Sequence, residues 1–330
     1  MRITALAGGV GGARFLRGLR AHLDSLTATP GLPDPAGTEI TIIGNTGDDI
    51  TLFGLRVCPD LDTLVYTLGG GVSEAQGWGR ADETFRVQGE LTAYGAVPQW
   101  FALGDQDFGT HIARSQWLGQ GLSLSEVTAR LARRWGLPDR RITLLPMSDS
   151  PVETHVVVSE DGEERAVHFQ EWWVRMRAAV PATRFVAVGM DRAAAAPGVL
   201  DALRGADVIL LPPSNPVVSI GIILGIPGVR DALRGSAAPV VGVSPLISGL
   251  PVRGHADTCL AAIGVESTSA AVAALYEDFL DGWLVDPADA NSALSRAKVR
   301  VHDGPLLMPD VESAARMAGA ALDLALELRG

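Results

Sequence analysis

Four aspartates lie within one short and otherwise apolar stretch of this sequence. Asp48 and Asp49 follow a β-rich segment, and Asp60 and Asp62 come shortly after them. Carboxylates grouped in this way bind hard cations, and Mg²⁺ uses one or two of them together with water and substrate phosphate oxygens. The alternative is turn formation and helix capping, which aspartate also favours. We predict a Mg²⁺ site with Asp49 and Asp62 as its preferred ligands.

A glycine-rich loop, Gly-Gly-Val-Gly-Gly at residues 8–12, follows an apolar strand over residues 1–6 and precedes an amphipathic helix. Glycines at such a junction let the backbone turn sharply and approach a phosphate, whose charge the helix N-terminus favours. The alternative is a tight turn without a ligand. After Gly9, Gly11 and Gly12 the spacing departs from Gly-x-Gly-x-x-Gly, which disfavours a nicotinamide dinucleotide.

A dense polar segment ends at His111, and Arg114 follows it shortly afterwards. The segment contains Asp105, Asp107 and Thr110 and has apolar residues on both sides. A lone histidine is most often structural, but this polar density indicates the rim of a pocket. We therefore treat His111 as a candidate functional residue.

Three further polar loops each follow an apolar strand, at residues 146–149, 213–216 and 243–245. Their serine and asparagine side chains and free backbone amides could hold a nucleotide base or a phosphate. The alternative is that proline and glycine only end the strands there. Arg253, slightly downstream, is a candidate phosphate partner.

Strands and helices alternate along most of the chain. Strand-like segments lie at residues 1–6, 39–43, 142–145, 185–188, 208–211, 239–243 and 283–285. This alternation predicts an α/β fold, with a Rossmann-like parallel sheet flanked by helices on both faces. Ligands of such sheets bind beyond the carboxyl ends of the strands, so we expect the polar loops to converge on one crevice.

The whole chain, residues 1–330, is predicted to be a single Rossmann-like domain. A mostly helical insertion is predicted over about residues 62–141, because apolar residues recur there at helical spacing. Two smaller features are a surface loop over residues 29–38 and a hairpin turn at Asp161 and Gly162.

Composition limits the classes of function. The 330 residues are 47% hydrophobic and carry a formal net charge of −11. This charge argues against a nucleic-acid partner, because phosphate backbones are bound through clustered Lys and Arg. Prolines interrupt the apolar stretch over 208–228, so we expect no membrane span, and we expect no signal peptide before the first strand. Cys58 and Cys259 alone suit a reducing compartment, so a cytoplasmic protein is predicted.

The ordered set of motifs resembles the 2-phospho-L-lactate transferase family of coenzyme F-420 biosynthesis, including its phosphoenolpyruvate transferase form. The matching segments occur in family order, at residues 8–12, 45–49, 59–63, 103–105, 110–111, 146–149, 213–216 and 243–245. The resemblance implies a phosphotransferase-type enzyme (EC 2.7.8) that requires Mg²⁺ and works as a homodimer.

The resemblance also implies the substrates. The donor would be a guanosine diphosphate-linked three-carbon acid, either lactyl-2-diphospho-guanosine (LPPG) or its enolpyruvyl counterpart (EPPG). The acceptor would be 7,8-didemethyl-8-hydroxy-5-deazariboflavin (Fo), whose terminal ribityl hydroxyl attacks the phosphorus while GMP leaves. The sequence leaves both donors open.

By the same resemblance, Asp49 and Asp62 match the family's paired aspartates near the metal and Fo, and we assign them catalytic roles. The other implied ligand-binding residues are Gly9, Gly11 and Gly12 at the diphosphate, Ala102, Thr110 and His111 in the polar segment, and Ser214, Asn215, Ser244 and Pro245 around the nucleotide. Ala102 stands where the family often has Lys or Arg. The helical insertion over about residues 62–141 would then cover the acceptor site, and Trp78 and Trp100 within it are candidates to cover the flat deazaflavin ring.

Two alternatives belong to other classes. A nucleotide-sugar-binding regulatory protein would share the fold and the glycine loop without catalysing transfer. A nicotinamide-dependent oxidoreductase would need an acid after the second strand, a place that Asp48 or Asp49 could fill. The motif around Asp60 and Asp62 and the segment ending at His111 favour the transferase.

Overall fold

The computed structural model describes residues 1–26, 35, 37–160, 162–290 and 299–329. Most of the loop predicted over 29–38 lies outside these residues, as does Asp161 of the predicted hairpin turn. Gly162, the other residue of that turn, is described and has a left-handed backbone with φ of 83°.

The described residues form fourteen strands. Their bounds are β1 Arg2–Ala7, β2 Glu39–Gly44, β3 Ile50–Leu52, β4 Leu55–Val57, β5 Ile142–Pro146, β6 Glu153–Glu160, β7 Glu163–His168, β8 Ala182–Val188, β9 Val208–Leu211, β10 Val240–Val243, β11 Leu246–Ile247, β12 Leu250–Pro251, β13 Gly282–Val285 and β14 Arg300–Asp303.

Eleven α-helices lie among the same residues, joined by short 3₁₀ and π-helical turns. Their bounds are α1 Gly9–Ser25, α2 Pro59–Gly69, α3 Arg86–Ala93, α4 Asp105–Gly119, α5 Leu124–Arg134, α6 Val199–Arg204, α7 Gly221–Gly225, α8 Val229–Arg234, α9 Ala256–Ala262, α10 Ser269–Ala274 and α11 Val311–Arg329. Among the described residues, no helix combines the length and the apolar character needed to cross a membrane.

A seven-stranded sheet in the order β14-β13-β10-β9-β1-β2-β5 forms the centre of the protein. Every neighbouring pair in it is parallel. Helices cover both faces, which explains why its central strands are apolar throughout and not alternating. The predicted α/β, Rossmann-like fold class is confirmed.

The two faces of this sheet bury two separate hydrophobic clusters. In β1, Ile3 and Ala5 pack on the face covered by α1 and α11, whereas Leu6 packs on the opposite face. In β9, Val208 and Ile209 divide between the two faces in the same way. Side chains thus alternate between the two faces, and the parallel pairing of β1 with β9 places their carboxyl ends beside each other.

One of the predicted strand segments does not join the parallel sheet. The segment 185–188 lies in β8, which pairs antiparallel with β6 in a separate three-stranded sheet ordered β7-β6-β8. The β6–β7 hairpin is antiparallel, as predicted. For β8 the prediction of a parallel strand is wrong: it pairs antiparallel with β6, Phe185 packs against Trp172, and Val186 and Val188 are exposed instead of lying under a helix.

The chain between β4 and β5 is mostly helical and contains α2 to α5. Pro59 occupies the first turn of α2 and left-handed Gly70 ends it, whereas a Ser123–Glu126 capping box begins α5. Helix α4 buries polar side chains together with Phe108. The limits of the helical insertion, at about 62 and 141, stay a prediction.

Candidate active site

A cavity of about 520 Å³ opens at the carboxyl ends of β1 and β9. These two strands are neighbours, yet the chain continues from β1 to β2 on one side and reaches β9 on the other. Such a switch point is where open α/β sheets bind ligands. The loops after β1, β9 and β10, the first turn of α2 and part of α4 all line this cavity.

The loop after β5, residues 146–149, lies away from the cavity. Ser148 Oγ donates to the Ala194 carbonyl (2.7 Å), and Asp149 accepts from the Ser125 backbone (2.7 Å). Because β5 is the edge strand, its end lies two strands from the switch point. The expectation that this loop joins the others in one crevice is therefore wrong.

Ser214, in the loop after β9, joins the two loops that meet at the switch point. Its Oγ accepts from the Gly8 backbone N–H (3.2 Å) and donates to the Gly8 carbonyl (2.9 Å). A side chain at Gly8 would overlap the Asp60 carboxylate, and one at Gly11 would overlap the Pro213 carbonyl. Close packing between the two loops and α2 therefore requires glycine at both positions.

The three predicted diphosphate glycines do not share one position. Gly9 and Gly11 line the cavity, and Gly9 has a left-handed backbone with φ of 65°. Gly12 lies off the cavity, where an added Cβ would come within 2.7 Å of Ser214 Oγ and 3.0 Å of Ala7 Cβ. Its place in the structure is explained by packing of α1 on β1.

Asp48 and Asp60 are buried carboxylates that face the cavity beside the glycine loop. Asp60 accepts from Asn45 Nδ2 (2.9 Å) and from the Gly9 backbone. Asp48 Oδ1 has no hydrogen-bond partner. Burial raises the pKa of Asp60 to about 6, whereas burial and then repulsion from Asp60 raise the pKa of Asp48 well above its usual value. Two repelling carboxylates at a cavity wall favour a cation between them.

Asp49, which the sequence favoured as a metal ligand, is fully buried and does not line the cavity. Its Oδ2 lies 3.6 Å from Arg56 Nη2. Burial raises its pKa to about 7, against an opposing effect of Arg56. The expectation that Asp49 faces the ligand together with Asp62 must be corrected, because the turn after β2 directs the neighbouring Asp48 to the cavity instead.

Asp62 lines the cavity and forms a buried ion pair with Arg114 of α4. Arg114 Nη1 donates to Asp62 Oδ2 (3.1 Å), and Nη2 donates to Oδ1. This bidentate geometry holds the carboxylate in one orientation. Arg114 is only 1% exposed, so the pair fastens α2 to α4 inside the protein.

His111 also lines the cavity, one turn before Arg114 on α4. Its Nδ1 lies 3.1 Å from Arg114 Nη1, which can only donate, so Nδ1 accepts and the proton is on Nε2. Nε2 is buried and has no partner within the protein. Burial lowers the pKa of His111 to about 4. The arrangement therefore offers a ligand one neutral N–H donor.

We predict that His111 stays neutral from pH 5.5 to pH 8. Because the pKa of folded His111 lies below the usual value, protonation of this residue at low pH favours the unfolded state. The free energy of unfolding should therefore rise as the pH increases through about 4 to 6.5. Nitrogen-resolved NMR of the imidazole should show protonated Nε2 across the range, with a His111→Gln variant to assign the signal. A titration midpoint near pH 6.5 would contradict this.

Thr110, a predicted ligand-binding residue, does not line the cavity. Its Oγ1 is 2.9 Å from Tyr66 Oη, which places it behind a tyrosine that does line it. Asp107, one turn earlier on α4, faces the cavity and has one buried oxygen without a partner. Burial, and then repulsion from Asp62, raise the pKa of Asp107 to about 7.

The predicted nucleotide loops line the cavity through Ser214, Asn215, Ser244 and Pro245, and Ala102 lines it as well. Asn215 Oδ1 caps the following turn by accepting from Val217 N (2.9 Å). The Ser244 hydroxyl bonds back to Leu246. Because these side chains are already engaged, they shape the cavity wall and leave backbone groups to meet a ligand.

The aromatic wall differs from the one predicted. Trp78 lines the cavity, but Trp100 packs edge-on against Phe101 (ring centroids 5.8 Å apart) and does not line it. Phe169 and Trp173, whose ring centroids are 5.4 Å apart, form a second aromatic wall. No sequence pattern indicated these two residues, because only the antiparallel sheet brings the turn after β7 to the cavity.

Within the described ranges, no group of three or more His, Cys, Asp or Glu side chains has an arrangement that could hold a metal ion. A divalent cation at Asp48 and Asp60 would need its remaining ligands from water and substrate. This is the usual situation for Mg²⁺, which binds through one or two carboxylates and substrate phosphates.

Comparisons with known proteins agree along the whole chain. A family model described as 2-phospho-L-lactate transferase CofD matches residues 3–320. Proteins named phosphoenolpyruvate transferase are similar: that of Thermobifida fusca is 61% identical and that of Streptomyces avermitilis 58%, each match covering 100% of this chain and 99% of the relative. That of Mycolicibacterium smegmatis is 53% identical, covering 98% and 99%.

A solved structure has the same fold. It is a Bacillus halodurans protein described as a member of the UPF0052 family, with a TM-score of 0.62 and 16% sequence identity, and the match covers 97% of this chain and 98% of that one. At this identity the similarity concerns the fold alone.

Proposed function

Because this chain belongs to the 2-phospho-L-lactate transferase CofD family, we propose that it transfers a phosphoenolpyruvyl or phospholactyl group in coenzyme F-420 biosynthesis. The donor is EPPG or LPPG, the acceptor is the terminal ribityl hydroxyl of Fo, and GMP is released. The relatives' name, phosphoenolpyruvate transferase, favours EPPG as the donor. Assembly as a homodimer stays a prediction.

The observation that carries this proposal is the position of Asp48 and Asp60 beside the glycine loop. Gly9 and Gly11 bring backbone close to the same cavity into which both carboxylates face. A diphosphate at that place would find backbone amides on one side and the acidic pair on the other. Because anions repel, Mg²⁺ held by Asp48 and Asp60 would neutralise the diphosphate and so allow an acidic protein to bind an anionic donor.

The acidic pair fits Mg²⁺ on the evidence of its own chemistry. Asp48 Oδ1 is buried without a partner, and each carboxylate is hard, oxygen-based and near the other. When bound, Mg²⁺ would neutralise charge on the diphosphate during transfer. Asp48 and Asp60 would hold it, in place of the pair Asp49 and Asp62 favoured by the sequence.

The acceptor side is formed by α2, α4 and the aromatic walls. Trp78, Phe169 and Trp173 offer flat apolar surfaces suited to a deazaflavin ring. His111 Nε2 can donate to an acceptor oxygen. This supports the prediction that the helical insertion covers the acceptor.

Two carboxylates on this side could take the proton of the ribityl hydroxyl. Asp62 is held by Arg114 in a bidentate ion pair, whereas Asp107 keeps one oxygen free. Asp107 is therefore the better proton acceptor, with Asp62 and His111 fixing the hydroxyl. As the hydroxyl oxygen bonds to the donor phosphorus, its proton passes to Asp107, the bond from phosphorus to GMP breaks, and GMP leaves with the electron pair.

The decisive test is mass analysis of products formed from Fo with EPPG or LPPG in the presence of Mg²⁺. We expect an Fo derivative heavier by the transferred group, together with an equal amount of GMP, and more of it from EPPG. Omission of Fo is the control, because GMP released without acceptor would indicate hydrolysis. Binding of a UDP-sugar with no Fo-derived product from either donor would support the regulatory alternative instead.

A further inference from the structure

Two arginines line the cavity next to the loop at residue 77, and the mechanism above leaves both without a role. Arg14 lies on α1, just over one turn after Gly9, and Arg253 follows β12. We call this pair the arginine clamp. A Cβ built on Gly77 would lie 3.0 Å from Arg253 Nη1 and 3.3 Å from Arg14 Nη2, so both guanidinium groups reach the same small space.

Backbone carbonyls hold the two guanidinium groups. Arg253 Nη2 donates to the Gln76 carbonyl, and Arg14 Nη1 lies 3.5 Å from the Met308 carbonyl. Neither arginine has an ion pair with a carboxylate among the residues that the structure describes. The nearby Glu74 is instead paired with Arg17. Each member of the clamp therefore keeps nitrogen donors available for a ligand.

The two positive charges repel each other. Burial, and then repulsion from Arg14, lower the pKa of Arg253 below its usual value. The chain has 38 acidic residues against 27 Lys and Arg, so it does not lack carboxylates with which to neutralise these arginines. Two arginines that meet at a cavity wall without a carboxylate partner are suited to binding an oxyanion.

The clamp is separate from the acidic pair. Gly9 contacts Asp60, whereas Arg14 is five residues further along α1, a rise of roughly 7.5 Å. A donor with one phosphate at the glycine loop would present a further oxyanion, its second phosphate or its carboxylate, toward the clamp. We propose that the arginine clamp binds an oxyanion of the donor, either the carboxylate of the three-carbon acid or the terminal phosphate oxygens.

This inference rests on the proposed function for the identity of the donor, but its test does not require transfer. Isothermal calorimetry would measure binding of phosphoenolpyruvate, GDP and GMP, each with Mg²⁺, to the full chain and to Arg14→Gln, Arg253→Gln and the double variant. The matched control is Arg17→Gln, on the next turn of α1, whose side chain pairs with Glu74 outside the cavity. Circular dichroism melting would establish that each variant is folded.

We expect each single variant to bind the probe that contacts the arginine clamp about 10- to 100-fold more weakly than wild type. This is the usual loss for a hydrogen bond to a charged group. Arg17→Gln should bind every probe like wild type. Loss for phosphoenolpyruvate with GDP unchanged would identify the carboxylate, whereas loss for GDP with GMP unchanged would identify the phosphate. Folded variants that bind all probes like wild type would overturn the clamp, as would a wild-type protein that binds neither phosphoenolpyruvate nor GDP. Clamp-dependent binding without transfer to Fo would refute only the proposed function.

Discussion

Replacing Asp48 with asparagine should raise the thermal midpoint of the metal-free protein at pH 8 and lower turnover by about 100-fold or more. The stability gain follows from the buried repulsion between Asp48 and Asp60, which an uncharged amide removes. The activity loss follows from removing one of the two carboxylates that would hold Mg²⁺. Calorimetric melting with and without Mg²⁺, and steady-state assay of GMP release, measure the two effects.

The pH dependence of this effect has a definite sign. The folded-state pKa values of Asp48 and Asp60 are raised, so the folded protein keeps protons that the unfolded chain releases from about pH 4 upward. Stability that the protonated pair contributes is therefore present near pH 4 and lost as the pH rises through about 6. Mg²⁺ should restore it at pH 8 and have little effect at pH 4.5.

Asp49→Asn is the matched control, because Asp49 is the adjacent residue, is also buried, and lies off the cavity. It should keep the stabilisation by Mg²⁺ that Asp48→Asn loses. If the two variants behaved the other way round, the ligand pair favoured by the sequence would be correct and our placement of the ion would fail.

Replacing Arg114 with methionine should destabilise the protein by about 3–5 kcal/mol. Asp62 would then be left as a buried carboxylate without its bidentate partner, at the junction of α2 and α4. Denaturant unfolding at pH 7 measures the free energy of unfolding. As the control, Arg17→Met removes an ion pair whose Glu74 partner is 66% exposed, and it should cost less than about 1 kcal/mol.

A double variant separates the role of the ion pair in stability from its role at the acceptor. Asp62→Leu combined with Arg114→Met replaces both charges with apolar groups and should recover most of the lost stability. Turnover should stay about 100-fold or more below wild type, because Asp62 lines the cavity. A stable double variant with wild-type turnover would show that Asp62 only holds the two helices together.

Sequence patterns identified most of the cavity because its residues are local to strand ends. The glycine loop follows β1, and the polar loop around Ser214 follows β9, so both were predicted from the order of strands and turn residues. Asp62 and His111 were identified as candidates, but their common contact with Arg114 could not be predicted. Asp62 and Arg114 are 52 residues apart in the sequence, so no local spacing pattern indicates their ion pair. The same limitation hid Phe169 and Trp173, which depend on an antiparallel sheet that the pattern placed partly in the parallel one.

By itself the sequence determined the fold class, the family and most of the segments that line the cavity, because hydrophobic period, glycine position and motif order are properties of neighbouring residues. Only the tertiary structure decided which aspartate of the pair Asp48 and Asp49 faces the cavity, and that Arg14 meets Arg253 across the loop at Gly77. Adjacent residues share one local pattern, and their opposite directions are set by the packing of distant elements against the turn.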